Sequence, residues 1–175
     1  MKGTIHKCIE KLITEKFGQQ TWQECLKGVD LDEDHVFMMN EDVDEALTMK
    51  LITQVIPSVC HLSVQQVLDA FGHFWINDYT AKVYAPYFEG SHSSKDLITK
   101  LDFIHSTVTQ NIPNSRPPRL SFEWVNVNTL SITYKSDRGL IDLFISIAKG
   151  VGAYYKEDLQ ISKISDQVLE VSFPA

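Results

Sequence analysis

Cysteine is scarce in this chain, and the arrangements that make it informative are missing. Cys8, Cys25 and Cys60 are odd in number and form no C-x-x-C pair, which gives neither a disulfide framework nor a cysteine-based zinc site. A reducing compartment is the default. Positive charge is in deficit: 16 basic against 23 acidic residues leave a formal net charge of −7. That sign is wrong for a protein whose affinity comes from neutralising phosphates, so nucleic acid is not an expected partner. Long apolar runs are missing too. The most apolar stretch, Leu140 to Ala148, contains Asp142 and is about half the length of a membrane-spanning helix. Lys2, His6, Lys7, Glu10 and Lys11 interrupt the N-terminus where a signal peptide needs an apolar core. The expected location is cytoplasmic, with no membrane.

Several catalytic signatures are also missing. There is no G-x-S-x-G elbow, no G-x-G-x-x-G and no G-x-x-x-x-G-K-[ST], so hydrolase, dinucleotide and P-loop readings have no handle. The histidines His6, His35, His61, His73, His92 and His105 include no pair at the four-residue spacing of a helical zinc site. Asp30, Asp32 and Asp34 alternate like calcium-loop ligands, but the required glycine and terminal glutamate do not follow in register. A solvated acidic loop is the simpler reading. Nothing here predicts an enzyme.

What is present is a chain of 175 residues, 43% hydrophobic, enough for one sizeable core and one domain. Ile5, Cys8, Ile9, Leu12, Ile13 and Phe17 recur at helical spacing, ended by Gly18. Thr21 and Glu24 form a capping-box pattern for a second helix through Trp22, Cys25 and Leu26, with Gly28 as its stop. Asp42 to Ile56 is predicted helical, with Pro57 breaking the run. Ser63 and Gln66 cap the next helix, whose stripe of Val64, Val67, Leu68, Phe71 and Trp75 faces inward. Gly72 interrupts that stripe at a cost of about 1 kcal/mol against alanine. Close approach of either a ligand or another helix would account for it.

Ser93 and Asp96 cap a long helix carrying Leu97, Leu101, Ile104 and Val108 on one face, with His105 on or beside it. After Pro113, Pro117 and Pro118 the period changes to two. Leu120, Phe122 and Trp124, then Leu130, Ile132 and Tyr134, alternate across Asn126 to Asn128 and predict an antiparallel hairpin. Gly139 to Tyr154 returns to helix, apolar around much of its circumference and so packed on two sides. Two further strands follow, around Leu159 and Ile161 and around Leu169, Val171 and Phe173. The sum is α+β, with a helical N-terminal half and one antiparallel sheet of about four strands.

Two constellations carry chemistry. His105 lies beside an apolar helix face, and imidazole is both a ligand for haem iron and costly to bury unpaired. Taken alone, one such histidine is more often a hydrogen-bonded core residue. Tyr134, Ser136 and Arg138 alternate, so in extended geometry they share one side, and a guanidinium flanked by two hydroxyls suits a carboxylate. Taken alone, the segment reads as a strand end leading into a helix, with Ser136 or Asp137 as its cap.

In combination these features are more specific. The opening Met1-Lys2-Gly3-Thr4-Ile5, the helix histidine in Leu101-Asp102-Phe103-Ile104-His105, the segment Arg116-Pro117-Pro118-Arg119-Leu120, and Tyr-x-Ser-x-Arg at Tyr134, Ser136 and Arg138 resemble the haem nitric oxide/oxygen-binding (H-NOX) family. The family is related to the haem domain of soluble guanylate cyclase, and the resemblance covers essentially the whole chain. It implies a ferrous protoporphyrin IX haem (haem b) buried between a helical distal subdomain, about residues 1–60, and a proximal subdomain, about residues 61–175. His105 would be the sole protein ligand to iron. Tyr134, Ser136 and Arg138 would bind the propionates, Pro118 would press on the porphyrin, and Leu101 would contact it. Ile5, Ile9, Trp75, Tyr79, Leu143 and Ile147 would line the distal face.

In family members that hold oxygen stably, the position matching Leu143 is a tyrosine. Leucine cannot donate a hydrogen bond, which favours sensing of nitric oxide, with carbon monoxide as a second ligand. The implied mechanism is release of His105, relaxation of the haem and a shift of the subdomains, signalled in trans to a histidine kinase or diguanylate cyclase. The rivals are an oxygen-binding or redox-responsive haem sensor, and a haem-free module that takes an apolar ligand.

Overall fold

The computed structural model describes residues 1–174, which divide into two compact units, Met1–Phe71 and Gly72 onward. The first unit is helical. Helix α1 (Gly3–Phe17) buries Cys8, Ile9, Leu12 and Ile13, the inward stripe expected from their spacing. Gly18 ends it with φ at +94°, a left-handed value, and α2 (Gln19–Gly28) starts on the next residue. Thr21 does not cap α2: its hydroxyl donates to the Phe17 carbonyl one turn back, at 2.9 Å, because Gly18 already serves as N-cap. Gly28 is not a left-handed stop either. A β-carbon there would run into the Val55 side chain, and the chain turns instead at Asp30, with φ at +61°.

Helix α3 (Glu45–Lys50) is capped by Asp44, whose carboxylate accepts from the Ala46 N–H at 2.6 Å. It widens into a π-helical segment, Leu51–Val55, and tightens again as α4 (Ile56–Cys60). Pro57 therefore does not break the run. Proline lacks an N–H and its ring collides with the carbonyl four residues back, and a wider turn just before it avoids both problems. The acidic stretch Asp30 to Asp34 is a largely exposed loop, with Asp30 paired to Lys50 at 2.9 Å.

Helix α5 (Val64–Phe74) opens with the expected reciprocal cap: the Gln66 N–H donates to Ser63 Oγ at 3.2 Å, and the Ser63 N–H donates to Gln66 Oε1 at 2.8 Å. Val67, Leu68 and Phe71 are buried, whereas Val64, in the first turn, is exposed. The helix then opens into a second π-helical segment, Trp75–Thr80, followed by α6 (Ala81–Val83).

In the second unit, α7 (Ser94–Thr109) leads to a hairpin of β1 (Arg119–Trp124) and β2 (Thr129–Lys135). Asn126 fixes the turn: its side-chain oxygen accepts from the N–H groups of Asn128 and Thr129, both at 2.9 Å. Helix α8 (Ile141–Tyr155) and strands β3 (Gln160–Lys163) and β4 (Val168–Ser172) complete a four-stranded antiparallel sheet in the order β1-β2-β4-β3. The fold class is the expected α+β. Leu130, Ile132, Leu169 and Val171 are fully buried on one sheet face, in the same core as Leu97, Ile98, Phe144 and Val151 from the helices.

Gly72 is explained by a helix. A β-carbon on it would overlap the backbone of Ser146, and one on Gly150 would overlap the Gly72 carbonyl. The end of α5 and the middle of α8 thus touch backbone to backbone. Asn77 secures the contact by donating to the His73 carbonyl at 2.9 Å and the Gly150 carbonyl at 3.1 Å. Gly72→Ala and Gly150→Ala are each expected to lower stability by on the order of 3 kcal/mol in urea denaturation, since neither backbone can give way cheaply.

His6 generates a second prediction. It is fully buried on α1, packed on Phe37 with ring centroids 4.5 Å apart and planes tilted by 31°, and hydrogen-bonded to Thr48 Oγ1 at 3.0 Å. Burial lowers its pKa from 6.5 to about 4. A histidine depressed in the folded state contributes stability that is whole above its unfolded pKa and drains as pH falls toward the folded value. Stability should therefore decline between pH 6.5 and 4, by roughly 3 kcal/mol at the lower end. The decline should be much shallower in His6→Gln when denaturation midpoints are followed across that range.

Candidate functional site

Ser93 starts α7 by accepting the Asp96 N–H at 3.1 Å. From there, helical spacing brings Leu97, Leu101 and His105 onto one face; Leu97 and Leu101 are buried and His105 is half-buried. The His105 pKa is lowered, because desolvation outweighs a hydrogen bond with the Pro118 backbone and the charge of Asp102, both of which raise it; Arg119 lowers it further. The ring is therefore neutral near pH 7, the state that can donate a lone pair. Its Nδ1 is buried with no hydrogen-bond partner among the described residues. An orphaned imidazole nitrogen is costly unless something outside the chain satisfies it.

Asp102, one turn before His105, ties α7 to the start of β1. Its Oδ1 accepts the Leu120 N–H at 2.8 Å, and its Oδ2 takes the Arg119 guanidinium at 2.6 Å. On the other side of Pro118, the Arg116 carbonyl accepts from Arg138 Nη1 at 2.7 Å. Pro118, half-buried, thus sits in a segment fastened at both ends and against His105 between them.

Tyr134, Ser136 and Arg138 are brought together, though not by an extended strand. Strand β2 ends at Lys135, and the Ser136 hydroxyl accepts the Arg138 N–H at 3.3 Å, turning the chain back. Tyr134 is buried, and desolvation raises its phenol pKa against the hydrogen bond from Ser136 and the charge of Arg138. The capping alternative is overturned: α8 starts at Ile141 with Leu140 as N-cap and no side-chain cap bond. Gly139, at φ +62°, absorbs the turn between the two, so neither Ser136 nor Asp137 reaches the helix end.

Leu143 and Ile147 lie one turn apart on α8, Leu143 buried and Ile147 half-buried. Trp75 and Tyr79 occupy the π-helical segment and stack on each other, with ring centroids 5.5 Å apart and planes 19° apart. Ile5 and Ile9 lie on α1 in the first unit, half-buried and buried respectively. Sequence reasoning missed Asp102, whose partners Arg119 and Leu120 are remote in the chain. It also missed both π-helical segments. The one available signal was Thr80, whose hydroxyl reaches five residues back to the Trp75 carbonyl at 2.7 Å.

Among the described residues no three His, Cys, Asp or Glu side chains converge to hold a metal ion. A metal at His105 must therefore bring most of its own ligands, as a porphyrin does. A neutral imidazole with an unsatisfied nitrogen, together with a guanidinium and two hydroxyls suited to carboxylates, fits the iron and the propionates of a haem.

A family model described as Haem-NO-binding matches residues 2–163. Solved structures similar to this chain include a Cs H-NOX mutant with 4-cyano-L-phenylalanine at site 5, with TM-score 0.88, 22% identity, and coverage of 100% of this chain and 97% of that one. An oxygen-binding H-NOX domain related to soluble guanylate cyclases, in its oxygen complex, gives 0.84 at 22% identity, covering 100% and 96%. A point mutant of T. tengcongensis H-NOX gives 0.84 at 22%, covering 100% and 98%.

Asp102 yields a test of the pinned segment. Asp102→Ala should cost about 1–2 kcal/mol in denaturant unfolding by orphaning the Leu120 N–H. Asp102→Asn, which keeps an acceptor for that N–H and loses only the exposed pairing with Arg119, should cost less than half as much.

Proposed function

Because the chain belongs to the haem-NO-binding (H-NOX) family, we propose that it is a haem-based sensor of nitric oxide and not an enzyme. The observation that carries this reading is the buried, unpartnered Nδ1 of a neutral His105, in a unit that also gathers Tyr134, Ser136 and Arg138. Bound as ferrous protoporphyrin IX, a haem supplies one open iron position where a diatomic gas can bind. His105 is the sole protein ligand to that iron. Arg138 neutralises the propionates while Tyr134 and Ser136 donate hydrogen bonds to them. Pro118 presses on the porphyrin, and Leu101 packs against it.

Leu143 sets the choice of gas. It carries no donor, and bound oxygen gains far more from a hydrogen bond than nitric oxide does, so the leucine favours nitric oxide over oxygen. Carbon monoxide is a second ligand on the same argument. Trp75, Tyr79 and Ile147 complete the apolar lining. His105 would hold the iron, and a haem that bound nitric oxide there would supply the means to loosen that hold; Pro118, whose backbone lies against the His105 ring, would move with it. The bistable element is this pocket. The signal passes in trans to a histidine kinase or a diguanylate cyclase in the cytoplasm. Among the described residues no single helix is long and apolar enough to cross a membrane.

The test is the visible spectrum of the reduced protein. The bands should shift on addition of nitric oxide and stay unchanged in air. His105→Gly should need added imidazole to recover the wild-type spectrum, and Leu143→Tyr should gain a response to air. A wild type that responds to air in the same way would make the protein an oxygen sensor. A protein that takes up no haem on reconstitution would make it an apolar-ligand module.

A further inference from the structure

The first unit presents a surface that the haem reading does not use. Residues 30–45 contain eight acidic side chains and no lysine or arginine, and in their midst Val36, Met38 and Met39 are 58%, 65% and 42% exposed. Phe37 between them is buried, its ring against those of His6, Trp22 and His35 at centroid distances of 4.5, 6.4 and 4.6 Å. Neighbouring side chains of an extended segment point to opposite sides, so an inward Phe37 sets Val36 and Met38 outward. The backbone is held as firmly. Helix α1 has no side-chain cap, and its first N–H groups are satisfied by this segment instead: Gly3 donates to the Glu41 carbonyl at 3.0 Å and Thr4 to the Met39 carbonyl at 2.9 Å. A β-carbon on Gly3 would collide with the Met38 carbonyl. The apolar side chains are therefore displayed on a fixed backbone, which removes the ordering cost that binding imposes on a loose loop.

We propose that Val36, Met38 and Met39, with the acidic residues on either side of them, dock a basic amphipathic helix of a partner protein. Such a helix carries an apolar stripe with lysine and arginine on both flanks. The segment matches it in sequence, with acidic residues at 30–34 before the apolar three and at 41–45 after them. Part of that charge is taken up within the unit: Asp30 pairs with Lys50, Glu33 with Lys27 and Asp42 with Lys2. Asp32 and Asp34, both exposed, make no ion pair among the described residues, and these are the charges open to a partner. Methionine suits the apolar contact, because its unbranched, polarizable side chain adapts to the surface laid on it. Charge argues against the other occupants of such a patch. A second copy would bring the same eight carboxylates against these, and a membrane leaflet with anionic lipids is negative in its own right. Docking is steered by the field of the acidic residues and weakens as salt screens it. It needs no haem, so it stands apart from the proposed gas sensing.

The experiment titrates the full chain with a synthetic peptide that has leucine at i, i+3, i+4 and i+7 and lysine elsewhere, following the methionine methyl signals by NMR and the affinity by calorimetry. The Met38 and Met39 signals should shift while that of Met49, on α3, stays in place. Met38→Gln with Met39→Gln should weaken binding by roughly tenfold. Asp32→Asn with Asp34→Asn should weaken it several-fold and flatten its dependence on salt. Val127→Gln, which removes an exposed apolar side chain from the turn between β1 and β2, should change nothing. A peptide that fails to bind would overturn the proposal, as would attraction by charge alone, read as equal binding of a scrambled peptide with no apolar stripe or as Met38 and Met39 signals that do not move. A free chain that sediments as a dimer and becomes monomeric in Met38→Gln would give the surface to a second copy. Vesicles containing anionic lipid that shift the same two methyl signals would give it to a membrane. The methyl shifts are read on the wild-type chain and decide the matter whether or not the variants fold.

Discussion

The second unit depends on the absence of two side chains. Gly72 and Gly150 let the end of α5 and the middle of α8 meet backbone to backbone, closer than any β-carbon permits. Helix α8 is also the central element of the core: Ile141, Phe144, Ala148 and Val151 pack with Leu130, Ile132, Leu169 and Val171 of the sheet. Its position relative to the π-helical segment Trp75–Thr80 is therefore set by backbone contact, which tolerates far less slippage than side-chain packing does. Leu143, in the first turn, and Ile147 sit on the same helix, both before Gly150. On the proposed function, the side chain that sets ligand choice, Leu143, is thus carried on a helix located by backbone contact.

A second constraint acts on the segment from Arg116 to Leu120. Prolines give it no N–H groups at Pro117 and Pro118 with which to join the sheet, so its position must come from side chains. Asp102 holds one end and Arg138 the other. Arg138 is itself aimed by the turn that Ser136 closes. One guanidinium therefore belongs both to the cluster with Tyr134 and Ser136 and to the support of Pro118, and a change at either place is felt at the other.

Local patterns were legible because their causes are local. The stripe of α1, the reciprocal cap of Ser63 and Gln66, the cap of Ser93 and Asp96, and the alternation of Leu130, Ile132 and Tyr134 all follow from residues a few positions apart. The site candidates His105, Tyr134, Ser136 and Arg138 were visible as residue types at a spacing, but the way they meet was not. Ser136 bends the chain where alternation implied an extended strand, and Asp102 finds partners in a segment that no helical or strand period connects to it. Pro57 and Thr21 misled for the same reason. Each carries a strong local preference, and each was overridden by a neighbour: the widened turn at Leu51–Val55 in one case, and the glycine cap at Gly18 in the other. Gly72 was read correctly as a point of close approach, but a single sequence cannot say what approaches.

A ligand bond that must break on demand places its own requirement on the protein around it. If His105 were also the residue that held the Arg116–Leu120 segment in place, losing its bond to iron would loosen the fold instead of moving one part of it. The structure separates the two duties. Asp102 and Arg138 fix the ends of the segment through bonds that do not involve His105, and the histidine meets the segment at its middle, at the Pro118 backbone. On the proposed function, release of His105 therefore shifts Pro118 between two fixed points. The displacement stays confined to the porphyrin-facing turn, so the stability of the sheet and of α8 need not change for the signal to be sent.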